Sequence, residues 1–330
     1  VGLRIAVVGP TATGKSDLAL DLAERLGAAG RGAEIINADA SQLYRGMDIG
    51  TAKVPVGQRR GVPHHQIDVL EVHEEANAAS YQRHARQDLA AVEARGHLPI
   101  IVGGSGLYVR ALTDDIDFPG TDPQVRAALE ERSRTQGPAA LRRELARRDP
   151  LAAQRIEAGD TRRIVRALEV IEITGRPFSA SLPGHRDAAP TLHLALRPER
   201  QALNTRIDAR ARAMFEAGLL QEVEHLVGRG LRRGSTAPRA IGYSQALDLL
   251  DGLIDREEAI IRTAQATRTL ASRQIKWFRR DPRVHWIDLA ADSAADSAGD
   301  SAGAPPSRAA GRRALEAAMR LLNPLLAQRL

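Results

Sequence analysis

The segment RIAVVGPTATGKS, residues 4–16, constrains the fold more than any other stretch of the chain. A short β-branched run ends at Gly9, and the pattern of a buried strand stops there. Beyond Ser16 the apolar residues Leu18, Ala19, Leu22, Ala23 and Leu26 recur at helical spacing, closed by Gly27. Between strand and helix lie Gly9, Pro10, Thr11, Ala12, Thr13, Gly14, Lys15 and Ser16, which fit G-x-x-x-x-G-K-[ST] without a mismatch. The glycines let the backbone curl until successive amides point inward. The following helix adds its positive N-terminus, Lys15 neutralises phosphate oxygens, and Ser16 can ligate Mg2+. Such a loop specifies a di- or triphosphate and does not sense what the phosphates are attached to.

The rest of the chain tells what surrounds this loop. EIINAD (34–39) and LPIIVGG (98–104) read as further buried strands, and Ala78 to Arg95 as a helix stopped by Gly96. Strands alternating with helices predict an α/β fold, a phosphate-loop type of parallel sheet flanked by helices. We assign 1–121 to the first part of this core. At Asp122-Pro123 the pattern changes to an N-cap followed by proline at the first helical position. Arg-rich helical sequence then runs to about Thr174 without a strand, so 122–187 is expected to be an all-helical insertion domain. TLHLALRP (191–198) reads as a return to the sheet, followed by helices at about 199–229, 243–251 and 255–279 and a last strand VHWIDL (284–289). The core therefore resumes over 188–289. Residues 290–307, with ADSAADSAGDSAGAPPS, have the composition of a flexible linker, and 308–330 fit an amphipathic helix.

Composition removes several function classes. The 330 residues contain no cysteine, which excludes disulfides, thiolate metal sites and cysteine nucleophiles. No apolar run approaches the roughly 20 residues of a membrane helix. The opening VGLRIAVVGP shows neither charged leader nor cleavage site, so no membrane association and a cytoplasmic location are expected. The formal charge of +6 permits an anionic partner without demanding one. Lysine occurs only at Lys15, Lys53 and Lys276, the other basic residues being arginine.

In an open α/β sheet, ligands bind beyond the carboxyl ends of the strands. Asp39 ends the second strand and Ser105, in GGSGLY (103–108), follows the next, so both should reach the rim of the phosphate loop. Either could equally be turn chemistry, Asp39 by capping a helix. From these residues alone a phosphotransferase using ATP remains open.

In sequence order, GPTATGKS, DASQLYRGMDIGTAK, VPHHQIDV, IIVGGSGLY, RRIVRALEV, PRAIGYSQ and TRTLASRQIKWFRRD resemble the tRNA dimethylallyltransferase family, over residues 3 to 289. The resemblance implies transfer of a five-carbon dimethylallyl group from dimethylallyl diphosphate to N6 of the adenosine immediately 3′ of the tRNA anticodon. It implies that loop 9–16 holds the donor's diphosphate with Mg2+ rather than ATP. It makes Asp39 the base that accepts the N6 hydrogen, Ser105 a hydroxyl near both reactants, and Arg210 a cation facing the diphosphate beside Lys15. The tRNA anticodon stem-loop would meet Asp39, Ala40, Ser41, Gln42 and Ser105, the segment Arg162, Arg163, Ile164, Val165 and Arg166, and the segment Arg239, Ala240, Ile241, Gly242, Tyr243 and Ser244, with Arg126 in support. Gln42 is assigned to holding the extruded base. Prenylation of free adenine nucleotides is the nearest alternative, and a monomer is expected.

The chemistry accommodates these residue types. An exocyclic amine becomes acidic only as it bonds to carbon, so a carboxylate with an ordinary pKa of about 3.9 is a sufficient base. Charge building on the departing diphosphate calls for fixed cations and amides. Unstacking the target base costs a few kcal/mol, which a basic surface gripping the RNA can offset. Trp277, in WFRRDP (277–282), is expected to pack inward, and His64, His65 and His73 to be structural.

Overall fold

A computed structural model describes residues 2–116, 118–181, 184–289 and 308–328. The linker expected at 290–307 lies outside the described residues. The chain forms two compact units, one being Asp114–Arg186 and the other comprising the sequence on either side of it.

The first unit is built on strands β1 (Arg4–Val8), β2 (Ala33–Asn37), β3 (His64–His65), β4 (Leu98–Gly103), β5 (Thr191–Arg197) and β6 (Val284–Asp288). Among the described residues these make one parallel sheet in the order β3-β2-β4-β1-β5-β6. β1 pairs Ile5 with Ile100 on one side and with Leu192 on the other, which makes it a central strand. All five of its residues are buried, as a strand covered on both faces requires. The predicted strands are all present. β3 was not anticipated, because two histidines carry no strand signal of their own. They are structural as expected, His64 Nδ1 lying 2.8 Å from the Val62 carbonyl and His65 Nε2 2.7 Å from Glu34.

Helices α1 (Lys15–Ala28), α2 (Ala78–Ala94) and α3 (Gly106–Thr113) fill the connections of the first half. In the second half, α8 (Arg200–Glu216), α9 (Leu219–Gly228), α10 (Tyr243–Leu250) and α11 (Arg256–Phe278) build a layer of their own. The single helix expected over 199–229 is two helices. Gly218 adopts φ 101, a left-handed conformation that ends one helix and starts the next. The last helix, α12 (Arg308–Ala327), packs on α1 and the β5–β6 side of the sheet. Its stripe Ala310, Ala314, Ala318 and Leu322 is buried. Small residues four apart let two helices approach closely.

The second unit contains α4 (Pro123–Gln136), α5 (Pro138–Arg148), α6 (Pro150–Arg155) and α7 (Thr161–Thr174). Each sequence signal read at 122–123 recurs here. Proline opens α4, α5 and α6, and Asp122, Asp149 and Asp160 cap α4, α6 and α7 by accepting from backbone amides. Leu129, Leu141, Leu145, Ile164, Leu168 and Ile171 form its core.

Candidate active site

The loop between β1 and α1 takes the shape its glycines predict. Gly14 stands at φ 80 in the N-cap position of α1, which leaves the first amides of the helix facing the loop's interior. Ala12 is also left-handed, at φ 61, a strained position for a residue with a Cβ. Thr13 Oγ1 donates to the Pro10 carbonyl at 2.9 Å and Lys15 Nζ to the same oxygen at 2.6 Å. The loop lines a cavity of about 470 Å³, whose wall includes Lys15, Ser16, Asn37, Asp39, Arg206, Arg210 and Met214.

A second cavity, of about 430 Å³, is lined by Asp39, Ser41, Ser105, Arg239, Ala240, Ile241, Gln274 and Trp277. Thr11, Asp39, Thr51, Arg210 and Met214 line both cavities. Asp39 thus stands where a phosphate-side space meets a space open past Ser105.

The placement of Asp39 follows from β2. Asn37, the last residue of that strand, accepts from the Asp39 amide at 3.1 Å and donates to the Asp39 carbonyl at 3.0 Å. The Asp39 carboxylate then accepts the Ser41 amide at 3.0 Å through Oδ1, capping the short turn Ala40–Leu43. Capping and ligand-facing roles therefore coexist, because one carboxylate oxygen serves the cap. Ser105 approaches from β4, its Oγ accepting the Ala40 amide at 3.3 Å. That acceptance leaves the hydroxyl hydrogen available to a ligand. Gln42 donates to the Thr51 carbonyl at 3.1 Å and lines the phosphate-side cavity, not the Ser105 side. In this structure its amide ties two loops together.

The cations beside Asp39 are incompletely compensated. Burial lowers the Lys15 ammonium to about 8, Asp39 pulling it back up and Arg210 pushing it further down. Burial likewise lowers the Arg210 guanidinium, opposed by Asp39. Two partly buried positive charges facing one carboxylate form a site prepared for an anion.

The loop after Asp39 is fastened by side chains remote in sequence. Lys53 donates to Asp48 and Asp68, each at 2.6 Å, and to the Tyr44 carbonyl at 2.9 Å. Glu222 accepts the amides of Asp48 and Ile49 at 3.1 and 2.8 Å, and the Tyr243 hydroxyl at 2.5 Å. This corrects one assignment: Tyr243 is 0% exposed, so its ring packs inside the protein and is closed to RNA. Of its neighbours, Arg239, Ala240 and Ile241 do line the second cavity. Gly242 and Ser244 instead start α10, through Gly242 N to Gln245 at 2.7 Å and Ser244 N to the Ala240 carbonyl at 3.1 Å. Trp277 is corrected too. It is 37% exposed on the cavity wall, and Phe278 beside it is the inward-packed ring.

The helical unit divides the basic residues assigned to RNA. Glu169 is 0% exposed and accepts from Arg126 at 2.8 Å and Arg166 at 2.9 Å. Arg166 also donates to the carbonyls of Pro119 and Gly120. Ile164 and Val165 are buried in the unit's core. Ile164 and Val165 are therefore corrected from RNA contacts to core residues. Arg126 and Arg166 are tied to Glu169 while staying partly exposed, and Arg162 and Arg163 are exposed on the first turn of α7. Arg162, Arg163 and Arg166 were assigned to the RNA together, but a buried carboxylate three residues on pairs with the last of them.

Sequence reasoning had also passed over Asn37, Thr51, Met214 and Gln274. Thr51 and Gln274 lie within stretches that carry the family resemblance, but each of the four acquires its place only when distant segments converge.

Fold and site together define a P-loop α/β protein with a phosphate cradle facing a carboxylate. The family model described as IPP transferase matches residues 42–281. The chain is 56% identical to the tRNA dimethylallyltransferase of Kineococcus radiotolerans over 284 residues, 86% of this chain and 90% of that protein. It is 58% identical to that of Thermobifida fusca over 283 residues, 86% of this chain and 89% of the relative. Among solved structures it is similar to the full-length tRNA isopentenylpyrophosphate transferase of Bacillus halodurans, with 38% identity, a TM-score of 0.61, and coverage of 87% of this chain and 89% of that one. A eukaryotic dimethylallyltransferase acting on tRNA superimposes with a TM-score of 0.79 at 25% identity, covering 99% of this chain and 80% of the other. The chain belongs to the IPP transferase family.

Proposed function

We propose that this protein transfers a dimethylallyl group from dimethylallyl diphosphate to N6 of the adenosine 3′-adjacent to the anticodon of tRNA, releasing diphosphate. The observation that carries the reading is the sharing of Asp39 and Arg210 by two cavities, one on the phosphate loop and one at Ser105. A group-transfer site needs separate entrances for donor and acceptor and a common wall where they react. Membership of the family supplies the substrates.

The donor's diphosphate lies over the amides of residues 12–16, with Lys15 and Arg210 against its oxygens. The adenine, swung out of its stack, enters past Ser105 and presents N6 to the Asp39 oxygen that does not cap the turn. N6 attacks the allylic carbon as the carbon–oxygen bond breaks and its electrons pass to the diphosphate. The hydrogen N6 sheds moves to Asp39. Lys15, Arg210 and the loop amides meet the charge that builds on the leaving group, where a water-poor setting makes them most effective. The Ser105 hydroxyl, whose hydrogen the Ala40 amide leaves unused, faces the entering base from the acceptor-side cavity.

Mg2+ fits this cradle with Ser16 as its protein ligand. Among the described residues no group of three or more His, Cys, Asp or Glu could hold a metal by itself. An ion there would draw its remaining oxygens from phosphate and water, the usual habit of magnesium, and would neutralise diphosphate charge. Among the described residues no helix is long and apolar enough to cross a membrane. A tRNA substrate supports a cytoplasmic location, and the presence of both cavities in one chain supports action as a monomer.

Mass spectrometry of nucleosides from tRNA incubated with protein and dimethylallyl diphosphate tests the reading, with AMP as a parallel acceptor. Isopentenyl-type adenosine in tRNA and unmodified AMP are expected. Prenylated AMP with unmodified tRNA would overturn the choice of acceptor.

A further inference from the structure

Helix α11 sends one side chain into the centre of the site. Gln274 is 8% exposed. Its Oε1 accepts the Thr11 amide at 2.9 Å, and its Nε2 donates to the Gly104 carbonyl at 3.1 Å. Thr11 belongs to the phosphate loop, and Gly104 precedes Ser105. One amide therefore joins the two loops that carry the donor side and the acceptor side, from positions 263 and 170 residues away in sequence.

The approach is close by construction. A Cβ on Gly104 would stand 2.2 Å from Gln274 Nε2, so only glycine admits the bond. One turn further along α11, Trp277 presses on Gly106, where a Cβ would stand 2.0 Å from the indole nitrogen. The two side chains thus grip the residues on either side of Ser105. The chemistry of the bridge is equally restrictive. Thr11 offers a hydrogen and Gly104 a lone pair, so the bridging side chain must accept at one atom and donate at the other. An uncharged carboxamide does so. A carboxylate would satisfy Thr11 and set negative charge against the Gly104 carbonyl.

We propose that Gln274 is a positioning residue which holds the phosphate loop and the Ser105 loop in one register, and so sets the distance between the leaving group and the attacking nitrogen. It commits the Thr11 amide to α11 and leaves the amides of residues 12–16 to the phosphates. This inference rests on the site reading above.

The test uses Gln274→Met and Gln274→Glu in the full chain, with Asp39→Ala and Lys15→Ala as controls. For Gln274→Met, kcat is expected to fall by about 10- to 100-fold, the penalty for a displacement of about 1 Å between reacting groups. Affinity for tRNA by gel shift should stay within about twofold, since no RNA contact is removed. For Gln274→Glu, protonation of the buried carboxyl restores both bonds. The ratio of its kcat to that of the parent is therefore expected to rise several-fold between pH 8 and pH 6. A purely structural glutamine would move the melting temperature without this pH-dependent recovery. A flat ratio across that range, or a Gln274→Met kcat within about twofold of the parent while both controls are inactive, overturns the proposal and leaves the site reading intact. Full activity in Asp39→Ala and Lys15→Ala removes the site reading itself.

Discussion

The two units use arginine in opposite ways. In the helical unit Arg126 and Arg166 close on Glu169, a carboxylate with no exposure, and their charge is consumed in holding α4 against α7. In the α/β unit Lys15 and Arg210 face Asp39 together, and burial lowers the pKa of both cations. The first arrangement is complete without a ligand. The second carries more positive charge than its surroundings balance, and an anion completes it. Burial of a cation is thus not itself a functional mark; the balance around it is.

The largest expected effect comes from removing the carboxylate that Lys15 and Arg210 face. Asp39→Ala should lower kcat by about 10²- to 10⁴-fold, the usual range for a general base, with tRNA binding nearly intact by gel shift. Turnover within a few-fold of the parent would show that the two cavities share a wall but not a base.

The same operation on the complete side should cost stability instead of turnover. Glu169→Gln is expected to destabilise the protein by about 1–3 kcal/mol, below the full value for a broken buried pair because both arginines are partly exposed. A thermal melt reads it. Burial alone would push the Glu169 carboxyl up, but hydrogen bonds from Arg126, Arg166 and the Asp122 amide outweigh burial and hold it below its ordinary value of 4.5. A depressed carboxyl stabilises the fold above its unfolded pKa. Glu169 should therefore contribute fully above about pH 4.5 and progressively less as pH falls toward its folded value. An unchanged melt in Glu169→Gln would erase the distinction between the units.

A smaller effect distinguishes Lys15 by pH. Its ammonium, lowered to about 8, is charged at neutrality and loses its proton as pH rises. A diphosphate favours the charged form, so donor affinity should weaken by up to about tenfold per pH unit above 8. Lys15→Arg should flatten that slope, whatever it does to turnover. Titration of donor binding from pH 7 to 9.5 measures both.

The smallest effect belongs to the exposed basic residues. Arg162→Ala should weaken tRNA binding modestly and reduce the salt slope by about one ion, whereas Arg126→Ala should chiefly lower the melting temperature. If Arg126→Ala changes the salt slope and Arg162→Ala does not, the division of the helical unit's arginines is reversed.

Legibility in the sequence followed the range of each interaction. The phosphate loop, the strands other than β3 and the helix start at Asp122-Pro123 were readable because each is decided within about ten neighbouring residues. The fate of Arg166 was not, since Glu169 offers an ordinary helical pair until the fold buries it. Tyr243 sat in a stretch matched to an RNA-binding segment, and its burial comes from packing in the core of the helical layer together with a 2.5 Å bond to Glu222. Trp277 was expected inward, but it lies against Gly106 on the cavity wall and Phe278 beside it is the buried ring.

From the sequence by itself came the cradle and its preference for phosphate, because backbone curvature and helix polarity are local consequences of Gly9, Gly14, Lys15 and Ser16. The tertiary structure alone decided that Asp39 lies between two cavities and that Gln274 links Thr11 to Gly104. Those are distances between segments up to 263 residues apart. They are set by how the sheet and its helices pack, which no stretch of chain encodes without its partners.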